Sequence, residues 1–264
     1  MNDFVDEKNF MIDVIKEAAS KFLCAKPTDI AKKGQFDLVT KADTDIESYI
    51  VRKIHDFYSG DSVIGEEYTP EMLVKADRCW TIDPIDGTVN YAHGSSEYGI
   101  QCSLITSGKI QVSVIFIPTK KETFWAIRGN GAFCNDCRIK IDPQLHISDS
   151  VVYMGDFSHK KDSTRKIQLN SVNYLSSRVS KIRMVGAACI DFSSIASGRA
   201  DGLISITQNP WDIYPGLLLC QEAGAVVTDL SGNEYKFGAD GVIAASSREL
   251  SLELINSMKS NNTM

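Results

Sequence analysis

"WTIDPIDGTVNY", residues 80–91, places two carboxylates, Asp83 and Asp86, three positions apart in a run of Trp, Ile and Pro. Such a run reads as the end of a buried strand, where unpaired charge is costly. Two ionised carboxylates about 4 Å apart repel by roughly 4 kcal/mol at an effective dielectric of about 20. Protonating one of them, a basic side chain beside them, or a cation between them would relieve that repulsion. No Lys or Arg occurs between Arg78 and Lys109, so the segment supplies no basic partner of its own. Oxygen donors without a His or Cys among them favour Mg2+ or Mn2+ over zinc. Pro84 holds the chain extended, and Gly87 permits a tight turn. Gly87 and Thr88 would then present backbone N–H groups at a short helical turn, a seat for a phosphate. The competing reading is an Asx turn after a strand, with Asp86 as a cap. Local chemistry leaves both open.

Outward from this stretch, the chain reads as alternating layers. Phe10, Met11, Val14, Ile15, Ala18, Ala19 and Phe22 recur at helical spacing, as do Ile46, Tyr49, Ile50, Ile54 and Phe57. Between them "GQFDLVTKAD" reads as extended. "DSVIGEE" and "RCWTID" read as short strands. Residues 98–133 hold β-rich runs separated by Ser-Gly, Pro-Thr and Gly-Asn-Gly turns, the pattern of an antiparallel meander. After Asp149, short strands and helices alternate, with Gly198 and Gly224 closing two of the helices. The expected fold class is α/β in layers, a single domain over residues 1–264. Its subdomains are a helix-plus-meander half (1–148) and an alternating half (149–264).

Composition narrows the function. The formal net charge of -6 argues against a nucleic-acid or anionic-membrane surface. The acidic start lacks a signal-peptide pattern, and no run approaches the roughly 18 apolar residues of a membrane span, so a cytoplasmic location is expected. Seven scattered cysteines form no disulfide framework. Cys24, Cys102, Cys189 and Cys220 lie in apolar company and read as small core residues. The lone "CNDC" at 134–137 reads as a turn, having no second pair or His to complete a zinc site.

"WTIDPIDGTVNYAHG" resembles the central signature of the inositol monophosphatase family, the Mg2+-dependent, lithium-sensitive phosphatases. "DLVTKAD" (37–43) is similar to the family's first motif and "IGEE" (64–67) to its second. "NPWDIYPGLLLCQEAGAVVTD" (209–229) is similar to its C-terminal signature. "GNGAFCN" (129–135) and "GAA" (186–188) follow the family order as well. The resemblance implies an αβαβα sandwich of the sugar-phosphatase type, usually a homodimer, using two or three Mg2+ ions, with Mn2+ as a substitute. Carried over by position, the metal ligands fall on Glu66, Asp83, the carbonyl of Ile85, Asp86 and Asp212. The catalytic residues fall on Asp43, Thr88 and Glu66. The phosphate seat falls on Gly87 and Thr88, and the substrate side on Gly186, Ala187, Ala188 and Ser205.

The implied reaction is hydrolysis of a small phosphorylated alcohol or sugar, foremost an inositol monophosphate, by a metal-activated water oriented by Asp43 and Thr88. Inositol-selective members carry an acidic residue where this chain has Ser205, which weakens the case for strict inositol selectivity. Fructose 1,6-bisphosphate, NADP and 3'-phosphoadenosine phosphates are the alternative substrates, with Asp156, His159 and Lys160 expected along the leaving-group side. A protein-binding regulatory module is the alternative of another class. Plainer roles stand beside these. Asp212 and Asp43 read equally as helix caps, and Glu67 as a neighbour of the ligand set. His93 reads as a surface residue, Trp80 and Trp211 as packing beside the ligands, and Arg199 as a turn or interface residue.

Overall fold

The two amphipathic patterns form helices α1 (Val5–Phe22) and α2 (Lys41–Phe57), whose apolar stripes face a common sheet. The computed structural model describes residues 4–24, 27, 29–68, 77–142, 146–159 and 161–259. Between α1 and α2 the extended segment is an antiparallel hairpin, β1 (Ile30–Lys32) and β2 (Leu38–Thr40). Strand β3 (Ser62–Gly65) pairs in parallel with β4 (Arg78–Asp86). Beyond the short helix α3 (Thr88–Ala92) come β5 (Gly99–Thr106), β6 (Lys109–Ile117), β7 (Glu122–Ile127), β8 (Gly131–Cys134) and β9 (Cys137–Ile139). They extend the sheet in chain order, each antiparallel to its predecessor, as the meander pattern predicts.

The later half supplies β10 (Val151–Met154), α4 (Asp162–Leu175), β11 (Lys181–Arg183), α5 (Ala188–Ala196), β12 (Gly202–Ser205), α6 (Pro210–Ala223), β13 (Val226–Thr228), β14 (Val242–Ala245) and α7 (Arg248–Lys259). Its five strands run in the order β11-β10-β12-β14-β13, parallel on the β11 side and antiparallel on the β13 side. The two-residue period of a strand sorts β14 between two cores. Val242 and Ala244 face α5 and α6, while Ile243 and Ala245 join Leu250, Leu254 and Ile255 of α7. The layers are therefore α1/α2, seven-stranded sheet, α5/α6, five-stranded sheet, α4/α7. This is the αβαβα sandwich. Helix α6 is apolar almost all round because it lies between two sheets. Gly216 brings it against Phe192 of α5, where a methyl would collide with the ring.

Several details depart from the sequence reading. Strand β4 does not stop at Asp83; it continues to Asp86 through a register shift opposite β5. The strand β11 was not anticipated, while the helical turn expected at Gly87 and Thr88 is the short helix α3. Cys24 is exposed, because it follows the end of α1 and its backbone N–H donates to the Tyr91 hydroxyl. Cys102, Cys189 and Cys220 are buried as expected. No helix among the described residues is long and apolar enough to cross a membrane.

Candidate active site

The C-terminal end of β4 and the N-terminal ends of α5 and α6 meet on one side of the sandwich, and the acidic residues lie there. Asp83 is 1% exposed, and its Oδ1 finds no hydrogen-bond partner among the described residues. The irregularity between Asp83 and Asp86 brings both carboxylates to one cavity, although strict alternation would put positions three apart on opposite faces. Asp86 accepts the backbone N–H groups of Ala188 and Cys189, at 3.1 Å for Ala188, so it caps α5 from across the site. The Gln101 amide also donates to it at 3.3 Å. The cap reading of Asp86 thus holds, but for a helix 102 residues away in sequence.

Asp212 lies in the first turn of α6, but the N-cap is Asn209. Asn209 and Thr207 donate to Asp212 Oδ2 at 3.0 and 3.2 Å. Burial and then Asp86 push the Asp212 carboxyl up to about 7. Burial pushes Asp83 far above the usual carboxylate range, and Glu66, Asp86 and Asp212 add to it. These shifts share one cause: several carboxylates crowd a space poor in water.

Glu66 follows β3 directly. Burial raises its carboxyl to about 8, against the opposing pull of Lys33. The Lys33 ammonium, from the β1–β2 hairpin, lies 3.2 Å from Glu66 Oε1 and also pairs with Glu67. Lys33 serves Glu66 and Glu67; among the described residues no basic side chain pairs with Asp83 or Asp86. Glu47 sets the loop itself. Wholly buried on α2, it accepts the Glu67 N–H at 2.8 Å and the Tyr68 N–H at 2.9 Å. Gly65 makes room for that carboxylate.

Asp43 is the third helical residue of α2, and Thr40 is the N-cap, so Asp43 closes a capping box and is not the cap itself. Its Oδ2 accepts the Thr40 N–H at 2.8 Å and the Thr40 hydroxyl at 2.5 Å. That leaves Oδ1 for Thr88, whose hydroxyl lies 3.0 Å from it and 2.9 Å from the Ile85 carbonyl oxygen. Gly87, at φ 89°, forms the left-handed turn between β4 and α3.

A cavity of about 440 Å³ is lined by Glu66, Asp83, Ile85, Asp86, Gly87, Thr88, Gly186 and Asp212. The structure thus brings together residues from four separate motifs. Asp43 stands behind Thr88. As they stand, the described side chains include no group of three or more His, Cys, Asp or Glu drawn tightly enough to hold an ion. The donors surround one space without closing on a point. A smaller adjoining cavity of about 220 Å³ is lined by Gly186, Ala187, Ala188 and Ser205, with Asp156 and Asp191. His159 borders the larger cavity and stacks on Phe36 of the hairpin at 4.1 Å. Lys160 lies outside the described residues.

His93 sits at the exposed end of α3 and bonds the Val89 carbonyl. Arg199 pairs with Glu122 through both terminal nitrogens, at 2.7 and 2.5 Å. Trp80 and Trp211 are buried. Sequence reasoning missed Lys33, Glu47, Gln101 and Asp191. Only Asp191 carried a signal, an acid inside the apolar run "ACIDF".

A model of the inositol monophosphatase family matches residues 5–263. The protein described as fructose-1,6-bisphosphatase/inositol-1-monophosphatase from Thermotoga maritima is 32% identical over 233 residues, 87% of each chain. A putative Nus factor SuhB from Neisseria meningitidis serogroup B is 31% identical and covers 81% of this chain and 82% of its own. Among solved structures, the Thermotoga maritima IMPase superposes with a TM-score of 0.86 at 28% identity, over 97% of this chain and 98% of its own. With matches spanning nearly the whole chain and a shared sandwich, this chain belongs to the inositol monophosphatase family.

Proposed function

We propose that this chain is a Mg2+-dependent phosphomonoesterase that hydrolyses the phosphate ester of a small alcohol or sugar, foremost an inositol monophosphate. The observation that carries the reading is the buried Asp83, one oxygen unpartnered, facing one cavity with Glu66, Asp86 and Asp212. Buried charge of that density needs protons or a cation. The donor set is all oxygen, which suits Mg2+ or Mn2+. In this reading Glu66, Asp83, the Ile85 carbonyl, Asp86 and Asp212 hold the ions, and their side chains must move to close on them. Mg2+, when bound, supplies Lewis-acid polarisation of the phosphate and makes water more acidic.

The chain's own groups do the rest. Thr40 saturates one Asp43 oxygen, which fixes the other on the Thr88 hydroxyl. Thr88 thereby orients its lone pairs toward the cavity and takes the proton of the attacking water while passing its own to Asp43. The Gly87 and Thr88 amides receive the phosphate oxygens. The two N–H groups of α5 hold Asp86 in place.

The test is Asp86→Asn assayed for phosphate release in Mg2+ on inositol 1-phosphate, fructose 1,6-bisphosphate, NADP and adenosine 3',5'-bisphosphate. The variant is expected to lose about 100-fold or more in kcat while its fold persists. Wild-type turnover by the variant would refute the assignment. Lithium inhibition and a homodimer are further expectations of this reading. A protein-binding role is supported by the likeness to the Neisseria protein described as a putative Nus factor. Absence of phosphatase activity on the whole panel would favour it.

A further inference from the structure

Gln101 reaches the acidic cluster from the sheet beneath it, and the reaction described so far gives it no part. It lies on β5, wholly buried, directly opposite Asp83 in the β4–β5 register. Residues opposite one another project from the same face of a sheet, so Gln101 leaves β5 on the side where Asp83 leaves β4. Beyond this pair the register shifts. Asp86 stands opposite Gly99, so three steps along β4 span two along β5. The Gln101 amide crosses that irregularity, donating from Nε2 to Asp86 Oδ2 at 3.3 Å. It ties the re-aimed end of β4 back to the regular part of the sheet.

Two details give this contact a purpose. A carboxylate oxygen offers about two lone-pair sites. Asp86 Oδ2 accepts both the Cys189 N–H and the Gln101 amide, which fills it. Asp86 Oδ1 accepts the Ala188 N–H at 3.1 Å and keeps a site open. The second detail is a cost. Gln101 Oε1 is buried and has no hydrogen-bond partner among the described residues. An apolar side chain of the same size would avoid that cost. Turning the amide over would not relieve it, because Oε1 would then face a carboxylate oxygen.

We propose that Gln101 is a positioning residue: it occupies Asp86 Oδ2, so that Oδ1 is the oxygen Asp86 offers to the ion. This rests on the metal-dependent reading of the site. A neutral amide orients the carboxylate without cancelling its charge, whereas Lys or Arg in its place would compete with the cation.

The experiment compares wild type, Gln101→Met and Ser103→Ala in calorimetric titration with Mn2+, without substrate. Ser103 is the control. It is buried two positions further along β5, and its hydroxyl lies 2.6 Å from that of Thr81 and not on a carboxylate. Affinity is expected to weaken about tenfold or more in Gln101→Met and to stay within about twofold of wild type in Ser103→Ala. In wild-type crystals soaked with Mn2+, the anomalous peak beside Asp86 is expected nearer Oδ1 than Oδ2. In Gln101→Met crystals that preference is expected to be lost. Unchanged affinity in Gln101→Met, or an equal loss in Ser103→Ala, makes Gln101 structural and overturns the inference. A wild-type peak nearer Oδ2 overturns it too, and that result stands even if Gln101→Met fails to fold. A wild type that binds no Mn2+ overturns the metal reading itself, and this inference with it.

Discussion

Gly65→Ala tests how Glu66 is held. Gly65 ends β3 directly under the buried Glu47 carboxylate, and a methyl there would lie 2.8 Å from Oε2 and closer still to the rest of the group. Gly65 is tied to Ile82 of β4 at the end of the edge strand β3, so the side chain facing it yields more readily than the paired backbone. Glu47 must swing away instead, and it then drops the Glu67 and Tyr68 N–H groups it accepts at 2.8 and 2.9 Å. Two bonds to a charged acceptor at about 1.5–3 kcal/mol each put the loss at about 3–6 kcal/mol. That is a large share of the roughly 5–15 kcal/mol that holds a typical domain. The assay is urea unfolding in EDTA, read as a lower midpoint at constant slope. Calorimetric titration with Mn2+ follows, where affinity is expected to weaken about tenfold or more because the loop carrying Glu66 loses its anchor. Gly60→Ala is the control: nothing lies within 4 Å of its added methyl, and stability is expected to stay within about 0.5 kcal/mol. A Gly65→Ala protein that matches the control in both measurements would refute the claim that Glu47 positions the loop.

The other expectations concern the turn and the acidic cluster. Gly87→Ala places a methyl 2.9 Å from the Glu97 carbonyl oxygen and 3.0 Å from Ala187 Cβ at a φ of 89°, so a loss of about 1–3 kcal/mol in thermal or urea unfolding is expected. Turnover should fall with it, since Asp86 and Thr88 flank the turn; unchanged stability would refute the strain argument. The pH dependence of the metal-free protein follows from carboxyls raised by burial, Glu66 to about 8 and Asp212 to about 7. A folded-state value above the unfolded one means that the folded protein binds more protons. The stability from these groups is therefore fully present below about pH 4 and lost as pH rises through 7 and 8. The urea midpoint in EDTA should fall between pH 5.5 and 8.5, and Mg2+ should restore it most at the alkaline end, where the ligands are deprotonated. A metal-free midpoint that rises over that range would contradict the crowded-carboxylate account.

Local chemistry and periodicity can be followed along the chain alone. The amphipathic spacing of α1 and α2, the Ser-Gly and Gly-Asn-Gly turns of the meander and the closing Gly224 of α6 each follow from interactions within a few residues. The stretches around Asp43, Glu66, Asp83 and Asp212 were legible through their resemblance to the inositol monophosphatase family, and Asp83 with Asp86 also as two carboxylates in an apolar run. Which distant groups complete them follows from the packing of the layers. Lys33 reaches Glu66 and Glu67 across more than thirty positions, Glu47 ties down the loop after β3, and α5 supplies the N–H groups that hold Asp86. Strand β4 runs on to Asp86 because an irregularity against β5 re-aims the chain, which no count of alternating residues reveals. Partnership across a fold depends on packing between layers, and a one-dimensional pattern carries no term for it.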